Sequence, residues 1–202
     1  MNRILILLAI FALSVGFTFA QSKGLPTGQQ SVQQIELLSG ATSVDLSTDF
    51  VGALTSLNIA PGRVFPASLR GAKASFPITD GTLERQSLRG EIIHNGGLTL
   101  SRGNTEVKLK SFIIDTTGSG FVLTGLVSAN GTVVGRIPLF DLQLPSNVVS
   151  NDLRFEGVFL SGVMVSLRPE AAGALNAVFQ TSAFVPGFNI GTASVRGFGY
   201  RD

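Results

Sequence analysis

Phe121-Val-Leu-Thr-Gly-Leu-Val-Ser-Ala-Asn130-Gly131-Thr-Val-Val-Gly-Arg-Ile-Pro-Leu-Phe-Asp-Leu-Gln-Leu144 reads as two β-strands joined at an Asn-Gly pair. Two-residue hairpin turns of the favoured primed types need positive φ, which Asn and Gly adopt at low cost. In the second half Phe140, Leu142 and Leu144 alternate with Asp141 and Gln143. Strand side chains point to opposite faces in turn, so this hairpin has one apolar face to bury.

The same alternation extends in both directions. Upstream, Val107 and Leu109 alternate against Lys108 and Lys110, and then Phe112 and Ile114 take the opposite parity. One extra residue near Ser111 would cause that switch, so a β-bulge is expected there. Asn95-Gly96 stands before Leu98 as a second turn signal. Downstream, Phe155, Gly157, Phe159, Ser161, Val163, Val165 and Leu167 form one face of a long strand, with a bend or bulge expected near Gly162. Two segments switch to helical spacing. Pro169 to Phe179 carries Ala171, Ala174, Leu175 and Val178 on one face, with proline at its first turn. Thr48 to Leu57 carries Phe50, Ala53, Leu54 and Leu57, with Ser47 or Thr48 as its cap. The expected fold is all-β: an antiparallel β-sandwich with two short capping α-helices, forming one domain over residues 34–202.

The two helical segments also resemble each other. Val44-x-Leu46 then Gly52-Ala53-Leu54 recurs at one constant offset as Val165-x-Leu167 then Gly173-Ala174-Leu175. Pro61-Gly62 and Pro186-Gly187 follow. An internal repeat of residues 43–66 and 164–196 is the reading of this pattern, against chance likeness of Ala/Gly/Leu-rich stretches.

Residues 1–20 have the charged start, apolar middle and small-residue exit of a secretory signal peptide, ending Thr18-Phe19-Ala20. Residues 21–33, rich in Gly, Ser, Gln and Pro, read as a flexible leader. No later stretch is long and apolar enough for a helical span, so no membrane span is expected once the signal is cleaved. The expected localisation is secreted or periplasmic. Thirteen acids nearly balance fifteen bases, with no run of Lys or Arg, so nucleic acid is not an expected partner. There is no cysteine, and stability must come from core burial and backbone pairing rather than disulfides. Phenylalanine occurs fifteen times, tryptophan not at all and tyrosine once.

Gly90-Glu-Ile-Ile-His94-Asn-Gly-Gly-Leu98, the strand ending Ile113-Ile114-Asp115, and Val165-Ser-Leu-Arg-Pro-Glu-Ala-Ala-Gly-Ala-Leu-Asn176 with Phe184-Val-Pro-Gly187 and Ile190-Gly-Thr-Ala-Ser-Val195 together resemble the HtaA-domain family of secreted bacterial proteins. That resemblance implies a β-sandwich associated with haem uptake. It also implies an iron-ligating tyrosine near the start of the domain, supported by a histidine in a Gly-His turn. His94 stands at the histidine position, and residues 34–57 hold no tyrosine; the single tyrosine is Tyr200, in the tail.

His94, the only histidine, is the single candidate ligand-binding residue. It shares strand parity with Leu88, Gly90 and Ile92, so it is expected to face inward, with one ring nitrogen bonded to a turn backbone group. No metal site is expected, since one histidine without cysteine cannot supply three or four good zinc ligands. No serine sits in a Gly-x-Ser-x-Gly elbow, and His94 would have to carry every proton transfer of a hydrolase. Glu84, Glu91, Asp115, Asp141 and Glu156 could in principle furnish a carboxylate pair, and read more simply as solvated strand and turn residues. The function expected is therefore that of a non-catalytic envelope or periplasmic module acting by binding or structure, without a cofactor. Its partner would be an envelope component or a small hydrophobic ligand. Haem or other hydrophobic-ligand binding is the alternative, and a carboxylate-dependent hydrolase the second. Export makes the first prediction: mass spectrometry of the exported protein finds Gln21 at its N-terminus, and retention of Met1 would contradict it.

Overall fold

The computed structural model describes residues 33–146 and 157–201. The signal peptide, nearly all of the leader, Phe155 and Glu156 lie outside them. Eleven strands and two helices follow in the order β1 (Gln34–Leu46), α1 (Thr48–Ser56), β2 (Ala60–Val64), β3 (Ser68–Arg70), β4 (Lys73–Glu84), β5 (Gly90–His94), β6 (Gly97–Arg102), β7 (Thr105–Asp115), β8 (Phe121–Ala129), β9 (Thr132–Gln143), β10 (Gly157–Leu167), α2 (Pro169–Phe179) and β11 (Asn189–Arg201).

All strands belong to one antiparallel sheet that closes on itself. Hydrogen bonding runs β7-β5-β4-β1-β11-β10-β9-β8 and returns from β8 to β7, so eight strands form a β-barrel. This corrects the expected sandwich. Alternating apolar residues specify an inner and an outer face, and that requirement is met equally by two packed sheets or by one sheet curled into a ring. The curl is built from long strands bent at irregularities. Register shifts fall at Leu37/Ser39 in β1, between Lys110 and Ile113 in β7, and between Leu160 and Val163 in β10. The bulges expected near Ser111 and Gly162 are the second and third of these, with φ of 53° and 74°. In β1, Gly40 has φ 134°, and a Cβ there would lie 2.1 Å from the Arg196 carbonyl oxygen, so this bend admits no side chain.

The Asn130-Gly131 hairpin forms as the sequence indicates, with φ of 49° and 82°, and joins β8 to β9. Asn95-Gly96 does not make a hairpin. β5 and β6 both pair with β7, at Ile113–Asp115 and Thr105–Lys110 respectively, so this turn steps the chain along one edge of a single strand. β6 carries β2 beyond the ring, and β3 pairs with β4 alone.

Both helices form where the spacing places them. The Ser47 hydroxyl accepts from the Phe50 amide at the start of α1, and Pro169 opens α2. They lie at the same end of the barrel, following the C-terminal ends of β1 and β10. Leu54 and Leu175 are both buried. The two strand–helix–strand units send their last strands to different places: β2 pairs with β6, while β11 fills the ring between β1 and β10. Pro61-Gly62 accordingly lies inside β2, whereas Pro186-Gly187 is a turn. No helix among the described residues is long and apolar enough to cross a membrane.

Leu175 joins α2 to the barrel core, so Leu175→Ala removes packed methyls that the surrounding strands cannot fully replace. A loss of about 2–5 kcal/mol is expected in urea denaturation. A loss under 0.5 kcal/mol would show that α2 does not help close the barrel.

Candidate functional site

The inward residues of the eight strands enclose a cavity of about 100 Å³. Phe76, Phe112, Leu123, Phe140, Val165 and Val195 are among its walls. An eight-stranded barrel is just wide enough for side chains to fill it or to hold one small ligand. No charged side chain lines the space, and its only polar liners are Thr42 and Thr116. Both hydroxyls are engaged. Thr116 Oγ1 donates to the Leu88 carbonyl at 2.5 Å and accepts from the Gly90 amide at 2.8 Å. Thr42 Oγ1 lies 2.7 Å from His94 Nε2.

His94 ends β5, inward-facing as its parity indicates, with 3% of its surface exposed. Its ring bonds to a side chain of β1 on the far side of β4, not to the turn backbone expected from sequence. Nδ1 has no hydrogen-bond partner. Backbone groups of Phe112 and Ile92 lie near the ring. Burial lowers the His94 pKa from 6.5 to about 4, and those two backbone groups offset the shift only in part. The imidazole is therefore neutral at pH 7.

Thr42 was not legible as a site residue. It joins Val44 in the inward phase of β1 only after the register shift between Leu37 and Ser39, which the sequence does not announce.

The carboxylates lie outside the barrel. Glu84 and Glu91 line a shallow outer cleft with Asp80 and Arg89, and Asp115 stands opposite Glu91 in the β5–β7 register. Glu84 accepts from the Ser87 hydroxyl, and Asp141 pairs with Arg168 at 2.6 Å. Hydrogen bonds from the Thr117 side chain and backbone lower the Asp115 pKa. A glycosidase needs a carboxyl held protonated as general acid, which is the opposite shift. Glu156 lies outside the described residues. No group of three or more potential ligand side chains that could hold a metal ion occurs among the described residues.

No protein-family model matches the sequence, and no curated protein matches it. Solved structures do. The C-terminal domain of HtaA from Corynebacterium glutamicum matches with a TM-score of 0.63 at 14% identity, over 81% of this chain and 98% of that one. The fold is that of an HtaA domain. The N-terminal domain of the same protein gives 0.61 at 14% identity, covering 80% and 97%. HtaB, a haem-binding protein of the same organism, gives 0.56 at 10% identity, covering 84% and 98%.

The side chains of this HtaA-like barrel do not fit haem iron. His94 Nε2 is taken by Thr42, an aliphatic alcohol that does not ionise near neutral pH as a phenol can when assisted. Tyr200 is 46% exposed and stands opposite Glu36 at the other end of β1, roughly 20 Å from Thr42 at about 3.3 Å per residue. Met164 is exposed on β10. These three donors do not converge.

The His94 shift has a consequence for stability. The folded pKa lies below the unfolded one, so between pH 6.5 and about 4 the unfolded chain binds a proton that the folded chain refuses. Stability is complete above pH 6.5 and falls by about 3 kcal/mol as pH drops to 4. The Thr42→Val/His94→Leu double variant should lack this component while staying within about 1 kcal/mol of wild type at pH 7. Urea titrations at pH 7, 5.5 and 4 check it. Parallel pH profiles would show that His94 is not buried neutral.

Proposed function

We propose that this chain is a non-catalytic binding protein for a hydrophobic ligand, exported to the cell envelope, periplasm or medium. The observation that carries the reading is the barrel interior: apolar throughout, uncharged, with both hydroxyls already engaged. Such a space attracts apolar matter by excluding water and offers nothing to activate a bond. The likeness in fold to a haem-binding protein supports a ligand-binding role over a purely structural one. Export rests on the leader read from the sequence.

Haem held through its iron is the second reading, favoured by that same fold likeness and opposed by the scattered donors. The two separate in one titration series. Haemin and metal-free protoporphyrin are added to wild type and to His94→Ala, beside a fluorescent apolar probe. The expected result is saturable probe binding and no Soret band that depends on His94. A sharp Soret band saturating at one equivalent and abolished in His94→Ala would establish the iron-linked reading instead. Absence of saturable binding by any apolar compound would refute both.

A further inference from the structure

We infer that the barrel interior is itself the binding site, and that it takes a compact uncharged apolar molecule, a single aromatic ring or a short alkyl chain. This rests on the hydrophobic-ligand reading and sharpens it. The volume sets the size class. Pockets for drug-sized ligands span about 300–1,000 Å³, and this cavity measures about 100 Å³. Apolar cavities of about 150 Å³ walled by Leu, Ile and Phe stay dry and admit benzene or xenon. A tetrapyrrole could not enter without expelling core side chains.

The walls set the chemistry. Thr116 is held by the Leu88 carbonyl and the Gly90 amide, and Thr42 by His94. A ligand carboxylate entering the space would meet no cation, and burying its charge unpaired is costly. Neutral His94 supplies no counter-charge.

Half-buried apolar side chains line the cavity at both ends of the barrel: Leu46, Leu69 and Leu98 toward the helices, and Leu88, Phe121 and Leu160 at the other end. Phe50 and Leu175 of the two helices are buried against it.

Benzene serves as probe on the purified protein, followed by melting temperature and by methyl shifts of Val165, Leu123 and Val195. The expected result is a saturable rise in melting temperature with shifts confined to those interior methyls. Ala193→Ile, which projects into the cavity, should weaken benzene at least tenfold. Leu160→Ala, which enlarges the cavity, should fold if the first does not, and should admit naphthalene where wild type does not. Failure of benzene to shift any interior methyl would overturn the inference. If the larger apolar probe still bound saturably and Ala193→Ile left it unchanged, the hydrophobic-ligand reading would survive at another surface. If neither bound, both would fall.

Discussion

The pairing of β7 with β8 is the contact on which the rest of the molecule depends. It runs from Val107 opposite Ala129 to Asp115 opposite Val122, interrupted only by the bulge at Ser111. Without it the eight ring strands would be an open sheet with two raw edges and one apolar face in need of a second layer. With it the sheet supplies its own second layer, and the unpaired backbone groups of two long edges are satisfied at once. A chain without disulfides gains its order here from backbone pairing and burial rather than from covalent ties.

Closure fixes what the interior can contain. Most inward side chains are cut off from water, and each of these must be apolar or find a partner inside. Two threonines and one histidine are the polar residues buried in this way, and hydrogen bonds hold Thr42 to His94 and Thr116 to the β4–β5 connection. The remaining unpaired atom, His94 Nδ1, is tolerated as part of a neutral ring. The same closure that depresses the histidine's proton affinity also walls the cavity with apolar side chains. Among the described residues no carboxylate lines the cavity.

Much of the local structure was legible because it is decided by near neighbours in sequence. Asn130-Gly131 forces its turn, the parity change around Ser111 forces its bulge, and Pro169 with the Ala171/Leu175 spacing forces α2. Closure was not legible, because it depends on residues far apart, Leu109 with Val127 and Val165 with Leu142, whose alternation is equally compatible with a sandwich. Asn95-Gly96 shows the same limit: the turn forms, yet the strands it joins choose β7 over each other. His94 was placed facing inward by parity, while its partner Thr42, 52 residues away, required the barrel to be assembled first.

Ring closure can be tested directly by cross-strand proton NOEs measured at two seams in one sample. The account predicts contacts between Leu109 and Val127, where β7 meets β8, together with contacts between Val165 and Leu142, where β10 meets β9. Both must appear in a monomeric sample for the strands to form a ring. Loss of either set, with the remaining strand pairings intact, would mean an open sheet or a sandwich and would contradict the enclosed interior on which the functional reading rests.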